Sequence, residues 1–415
     1  MENGNFRLPL THLTAPIIDP VKIKHDYKIE LVQSPEDFFE LREQWELLRK
    51  KRAQAVFFQS WIWNWVWWKH LAPAGSRLCI VTCRNSEGEL IGLAPFYLYT
   101  YRFLVWPFIR QLRFIGTDPH VLTSEYLDIL VDPASAEPEV LSQIARAVQY
   151  SLRWDSLWFS LHLTDSAVSR FLAPALSSFV TSRTSSLSFR VDTNREWKEY
   201  VSQRGKKTRK NIRYETNRIL REQKAFFREI AGLKERKLAL DTLVTFHETR
   251  WLHKGLLGAF AVRGFRPFLR EMLDESEARG QLRIWAVFHG EKISAVLVAF
   301  LEEGNAYAFQ MGFDSRYTKH SLGFVLLGLC IRACCEDRQI LSLDLLSGGE
   351  AFKKLWTGEE QVHFTYVGSR KAWRVPLFHG FENAVAAGKR LLRCCLPVAL
   401  IVWGKTRLLR WRRSR

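Results

Sequence analysis

Apolar and polar positions alternate in short blocks along the whole of this chain, so strands and helices are expected to follow one another throughout. A strand is predicted at Lys28–Val32. Ser34 then stands as N-cap ahead of a helix over 35–50. The next helix carries QSWIWNWVWWKH, in which Trp61, Trp65 and Trp68 share one helical face. An aromatic-rich core helix is the expectation here, with a membrane- or ligand-facing aromatic surface as the alternative. Strands over 78–83 and 90–99 flank the turn Asn85-Ser86-Glu87-Gly88. Basic and aromatic residues at 101–114 lead to Tyr126-Leu127-Asp128-Ile129-Leu130. A helix over 138–152 and a strand near 156–161 follow.

The pattern is clearest between Gln281 and Trp356. Two β-rich runs, Leu282–His289 and 293–301, are joined by a Gly-Glu-Lys turn, and a third strand covers 306–312. After the loop 313–321 an apolar helix opens at Leu322-Gly323 and runs to about Cys335. A last strand, 340–346, ends in Ser347-Gly348-Gly349. This order suits a phosphate-bearing cofactor, because a helix start offers unpaired N–H groups and a partial positive charge. LCIVTCRNSEGELIGLAPF, from Leu78, echoes LRIWAVFHGEKISAVLVAF, from Leu282: apolar strand, Gly-Glu turn, apolar strand. That spacing suggests a duplicated domain. In the first copy Gly116-Thr117-Asp118-Pro119 leads to an extended run and not to a Gly-led helix, so the cofactor is expected in the second copy alone.

At 415 residues two domains are the natural expectation, and 47% hydrophobic with 25% charged residues indicates a globular chain. The net charge of +18 is local. Ten Lys/Arg stand against Glu215 and Glu222 between Arg204 and Arg228, and nine with no acid between Lys389 and Arg415. Two local devices are implied, not a general nucleic-acid-binding surface. The first reads as a basic helix linking the halves, either merely solvated or capturing an anionic ligand such as CoA phosphates, an anionic acceptor or RNA. The second has a ten-residue apolar run, 394–403, too short to span a bilayer that needs about 20 residues. Its flanking cations and its Trp403 and Trp411 suit docking to an anionic membrane surface, with packing on the second domain or a loose tail as alternatives. The seven cysteines lack metal-ligand spacing, so no metal is expected. With no secretory pattern at the N-terminus, a reducing, cytoplasmic location is expected, peripheral at the inner face of the membrane if the tail docks.

The element order from 281 to 356 resembles the acyl-CoA-binding half of the GNAT acyltransferase superfamily. Tyr307, the run Met311-Gly312-Phe313-Asp314, Ser321-Leu322-Gly323 and Asp344…Gly348-Gly349-Glu350-Ala351-Phe352-Lys353…Trp356 are together similar to the CelD-like branch. That branch is often named for cellulose biosynthesis and is related to the FemAB peptidyltransferases. The likeness covers roughly residues 28–370, and the aromatic helix after Phe57-Phe58 and the basic helix belong to it. It implies an α/β (α+β) fold of two tandem GNAT-like domains, each a mixed central sheet flanked by helices. The expected division is an arm at 1–27, a degenerate GNAT-like domain at 28–195, the acyltransferase domain at 196–372 and a basic amphipathic tail at 373–415.

It further implies transfer from acetyl-CoA or another acyl-CoA to an unidentified amine or hydroxyl, in extracellular-polysaccharide, cellulose or cell-envelope biosynthesis. Such transfer needs positioning, a base and oxyanion donors, but no covalent nucleophile. Gly312, Phe313, Lys319, His320, Ser321, Leu322, Gly323 and Phe324 are the expected cofactor site. The superfamily's Arg/Gln-x-x-Gly-x-Gly/Ala pattern is altered here: with Gly323 as the last glycine, Ser321 takes the first glycine's place and Thr318 the basic residue's. Arg250, Trp251, Tyr307, Gln310 and Lys353 are the expected acceptor side. Asp344, on an apolar strand where desolvation raises a carboxyl pKa, Glu350 after the glycine pair, and His247 in FHETRW are the candidate bases. Two alternatives stay open: a FemAB-like transfer from aminoacyl-tRNA with the 204–228 helix on RNA, and a catalytically degenerate scaffold at the membrane.

Overall fold

A computed structural model describes residues 26–52, 55–103, 106–118, 124–253, 255, 258–348 and 352–370. The expected arm up to residue 25, the tail from 371 with its docking segment, and Glu350 lie outside the described residues. The chain forms two compact units, one of residues up to Leu187 together with 362–370, the other Ser188–Gln361. Relative to the expected domains 28–195 and 196–372, the last strand of the second returns to the first unit.

In the first unit β1 (Lys28–Val32) precedes helices α1 (Pro35–Glu40), α2 (Arg42–Lys50) and α3 (Trp61–Leu71). Then come β2 (Arg77–Arg84), β3 (Leu90–Phe103), β4 (Trp106–Phe114), the short β5 (Leu130–Val131), α4 (Glu137–Arg146), β6 (Ser156–Leu163), the single turn α5 (Ala173–Ala175) and the first half of β7 (Val180–Asp192). The second unit continues with α6 (Trp197–Ser202), α7 (Lys206–Asn217), β8 (Ala225–Glu229), α8 (Leu233–His253), α9 (Phe265–Glu277), β9 (Leu282–His289), β10 (Lys292–Glu302), β11 (Asn305–Phe313), α10 (Leu322–Glu336) and β12 (Ser342–Ser347). β13 (Glu359–Ser369) then pairs with β6 of the first unit.

Several expectations change in detail. The helix expected over 35–50 is divided at Leu41, whose φ −67 and ψ −10 tighten the turn, while Ser34 caps its start by accepting from Asp37 N at 3.0 Å. The basic segment is helical only to Asn217, with a wider turn to Glu222, and its end is strand β8. The 101–114 run, read as a connection, is mostly strand. On α3 the deepest side chains are Trp63 and Trp67, not the 61/65/68 face. The reason is enclosure on two sides: Trp67 meets Tyr97 of β3, while Trp61 and Trp65 stack on one another and on Phe38 and Phe39 of α1. Indole N–H groups of Trp61 and Trp63 donate to Phe38 O and Ser124 Oγ, so the aromatic helix is core.

The sheet order in the first unit is β1-β2-β3-β4-β6-β13, and in the second β7-β12-β11-β10-β9-β8. Each unit repeats one plan. A hairpin (β2–β3, β9–β10) leads to a third antiparallel strand (β4, β11), a helix (α4, α10) and a strand parallel to that third one (β6, β12). A parallel neighbour requires such a crossover helix. α10 is apolar nearly all round and correspondingly buried. It passes so close to the fully buried Trp356 that a Cβ on Gly328 would stand 2.5 Å from the indole Cη2.

Replacing Gly328 by Ala therefore opposes two effects. Helix propensity gains about 1 kcal/mol, whereas overpacking costs about 1–3 kcal/mol. A Trp that cannot swing away makes the second win. Gly328→Ala is expected to lower the thermal midpoint, and to lower it much less when introduced into a Trp356→Leu chain than into the wild type; an unchanged or raised midpoint for the single variant would contradict the packing described.

Candidate active site

The site forms where two neighbouring strands part. β11 and β12 pair in parallel only at Asn305↔Ser342, Ala306↔Leu343 and Tyr307↔Asp344. Beyond that pair β11 runs on to Phe313 and β12 to Ser347, without pairing to each other. Residues 308–313 of β11 are mostly half-buried, although β11 is an interior strand of its sheet. A crevice at the carboxyl ends of parallel strands is a common seat for ligands.

β12 is held at this point by its own residues. Leu346 adopts a left-handed φ of 58°, and the register with β7 shifts between Asp344 and Ser347. The Asp344 carboxylate is buried and accepts from Leu346 N at 2.7 Å. The ammonium of Lys353, also buried, donates to the carbonyls of Leu345, Leu346 and Ser347 at 2.8, 3.2 and 3.0 Å. Lys353, expected on the acceptor side, thereby holds the backbone at the end of β12. Asp344 sits beside Tyr307 at the last paired position, and Gln310 lies three residues further along β11.

The other wall is the start of α10 with the end of α8. Ser321 precedes the helix at φ 52°, a left-handed conformation that glycine adopts without strain. This is a physical reason for a glycine at that place in the superfamily pattern. Gly323 is needed for closeness: a Cβ there would lie 2.8 Å from Cε1 of Phe313. Phe324 stacks on Trp356 with centroids 4.6 Å apart, and Leu322 is fully buried. The side chains of Lys319 and His320 lie outside the described residues. Gly312 lets α8 approach β11, because a Cβ would meet Leu243 Cδ1 at 2.9 Å.

At the far end of α8 the Arg250 guanidinium stands 5.8 Å from the Phe313 ring centroid. His247 is buried against Trp251 and Phe260, and its Nδ1 has no hydrogen-bond partner among the described residues. Gly258, at φ 69°, closes over it with room for no side chain. Burial, and then the Arg250 cation, push the His247 pKa down to about 4, so the ring is neutral at pH 7.

The expected residues therefore fall into two groups: Tyr307, Asp344 and Lys353 on the β12 side; His247, Arg250, Trp251, Phe313 and Gly323 on the α8–α10 side. Tyr200 and Arg204, which fix the segment after β12, stand outside the expected site residues. The Tyr200 hydroxyl and the Arg204 guanidinium both donate to the carbonyl of Trp356. Their only signal in the sequence is proximity to the basic helix, and backbone carbonyl acceptors leave no mark in a sequence. Among the described residues no group of three His, Cys, Asp or Glu could hold a metal ion, and no helix is long and apolar enough to cross a membrane.

Lys353→Met removes the donor from three carbonyls and is expected to cost about 3 kcal/mol, allowing for partial rehydration. Urea unfolding reads this directly, and a change below about 1 kcal/mol would show that the ammonium does not hold the strand end. His247 makes a signed pH prediction. Its folded pKa lies below that of the unfolded chain, so stability falls as pH drops from about 6.5 to about 4 and levels off below, a loss of about 3 kcal/mol in all. His247→Gln should flatten this slope in unfolding titrations between about pH 7.5 and about pH 5; identical slopes would place the imidazole in water.

Residues 206–354 match a family model described as an acetyltransferase (GNAT) domain. No curated protein matches the sequence. Three solved structures are similar in fold. FemX is 9% identical, with 82% of this chain and 95% of that one covered, at a TM-score of 0.50. A conserved protein of unknown function from Bacteroides thetaiotaomicron is 10% identical, with 82% and 100% covered, at 0.51. The C-terminal domain of a putative lysylphosphatidylglycerol synthetase from Agrobacterium fabrum is 11% identical, with 83% and 96% covered, at 0.50. The parted strands, the glycine-led α10 and Lys353 thus lie within the part of the chain, residues 206–354, that matches the acetyltransferase (GNAT) domain model.

Proposed function

We propose that the chain transfers an acyl group from acetyl-CoA or another acyl-CoA to an amine or hydroxyl acceptor, in the crevice between β11 and β12. The parting of those strands after Tyr307 and Asp344 is the observation that carries the reading. A strand with one open edge can pair with an extended, amide-bearing chain, and the pantetheine arm of CoA is such a chain. The start of α10 supplies N–H groups and a partial positive charge for the diphosphate. Gly312, Phe313, Leu322, Gly323 and Phe324 line that end, with Ser321 setting the turn.

The reaction is a direct displacement. The acceptor's lone pair forms a bond to the thioester carbon, the C–S bond breaks, and the thiolate leaves with the electron pair. The acceptor's proton passes to a base. Asp344 at the end of the paired region, Glu350 in the following loop and the neutral His247 are the candidates. Arg250, Trp251, Tyr307 and Gln310 line the acceptor side, while Lys353 shapes it through the backbone. The similarity of 281–356 to the CelD-like branch supports a role in extracellular-polysaccharide or cell-envelope synthesis. The cationic α7 favours a second reading, in which the donor is an aminoacyl-tRNA held by that helix.

Calorimetry with acetyl-CoA tests the first reading on the wild-type chain and on Gly323→Glu, with circular dichroism confirming that the variant is folded. Saturable binding is expected in the wild type, and at least about tenfold weaker binding in the variant, because the new side chain fills the helix start. Absence of wild-type binding would rule out an acyl-CoA donor. Equal binding by both proteins would move the site elsewhere.

A further inference from the structure

The outward face of α7 carries cations that the protein itself leaves unused. Lys206, Lys207, Lys210 and Arg213 are exposed, and no carboxylate pairs with any of them among the described residues. Ile212 and Glu215 face inward, and the Glu215 carboxylate is taken by Arg218. Lys206 and Lys210 are four residues apart, so they repel along the helix and weaken it by a few tenths of a kcal/mol. The pairing therefore adds nothing to the helix's own stability. It fits an anion that comes from outside.

Both ends of α7 are fastened beside the start of α10. Ahead of α7, Arg204 donates to the Trp356 carbonyl at 2.8 Å, and Trp356 stacks on Phe324 in the first turn of α10. Beyond it, the Gln223 side chain meets His289 Nε2 at 3.2 Å, and His289 stacks on Tyr317 in the loop leading to α10, with centroids 4.3 Å apart. α7 also packs directly on α10. The twelve residues of α7 itself, which lie between these anchors, make a rod of about 18 Å. Its row of cations is thereby carried alongside α10, the helix whose start forms one wall of the crevice.

We propose that this face of α7 holds the phosphorylated nucleotide end of the donor, outside the crevice that takes the thioester arm. It rests on the acyl-CoA reading given above. With the diphosphate at the start of α10, the ribose phosphate beyond it carries further negative charge toward the row, and lysine ammoniums bind phosphates as point charges. The row then selects a donor carrying a nucleotide over a thioester arm alone. An aminoacyl-tRNA would offer phosphates of the same chemistry from another source, so the test distinguishes the two.

Calorimetry on the full chain compares acetyl-CoA with its 3′-dephospho form and with bulk tRNA. The proteins are the wild type, the double variant Lys206→Glu/Lys210→Glu and a control, Lys234→Glu/Lys237→Glu, which makes the same charge change on exposed positions of α8. The α7 variant should bind acetyl-CoA about tenfold more weakly and lose most of the preference for acetyl-CoA over the dephospho form; the control should stay within about twofold. If wild type and α7 variant bind acetyl-CoA alike, the role of this row is overturned while the acyl-CoA reading stands. If the control weakens as much, the effect is one of net charge and the assignment to α7 fails. Without acetyl-CoA binding to the wild type, both readings fall. Salt-dependent tRNA binding lost in the α7 variant would then assign the helix to RNA.

Discussion

Three residues of parallel pairing between β11 and β12 decide the shape of the second unit's site. A parallel ladder satisfies backbone groups at no cost in side chains, and strands that leave it must find other partners. On the β12 side the chain supplies them from within. Leu346 turns left-handed, Asp344 takes its N–H, and Lys353 takes three consecutive carbonyls. The loop that follows is tied at Trp356 by Tyr200 and Arg204, and Trp356 is in turn clamped under Gly328 and Phe324 of α10. Opening the sheet therefore engages α6, α10 and β12 together. Lys353 is part of that frame.

The first unit shows the same topology with a different outcome. β4 and β6 pair in parallel at only two positions, Gln111↔Ser156 and Leu112↔Leu157. There the gap is filled by the chain itself. A Cβ on Gly116, just past β4, would strike Ser124 and Leu127, and His162 near the end of β6 donates from Nδ1 to the Leu127 carbonyl at 2.6 Å. The same connector presents Asp128, whose carboxylate accepts from Ala167 N and Val168 N. The extended run that replaces a Gly-led helix in this half acts as a plug, which is a physical account of why a ligand is expected in the second unit alone.

Much of this was readable in the sequence, for particular reasons. β9, β10, β11 and α10 are buried on most sides, so their apolar runs are long and are bounded by Gly, Asn or Ser, and the pattern places their ends within a residue or two. The echo at Leu78 correctly marks the hairpin β2–β3. β7 and β13 were not visible. Thr181, Ser182, Arg183, Thr184 and Ser185 give β7 no apolar alternation, and β13 earns its place by pairing with β6, about 200 residues earlier in the chain. The site residues were legible as chemical types and not as partners. That Lys353 serves carbonyls, and that His247 is walled by Gly258, Trp251 and Phe260, depends on contacts that a one-dimensional pattern does not encode.

Backbone strain occurs in each unit by itself. The non-glycine residues with positive φ include Tyr126 and Leu161 in the first unit and Ser321 and Leu346 in the second. Each pair stands at the two sides of a gap: Tyr126 in the plug and Leu161 near the end of β6, Ser321 at the start of α10 and Leu346 at the end of β12. A left-handed residue without glycine's freedom costs about 1–3 kcal/mol, so its persistence needs a surrounding structure that enforces it. The filled gap keeps the strain as surely as the open one. Strain at Leu346 and Ser321 is therefore a consequence of parting two parallel strands, and is not by itself evidence of a ligand. What distinguishes the second unit, among the described residues, is the absence of such a plug, the glycine that admits Phe313 to the helix start, and the unpaired cations that α7 carries alongside α10.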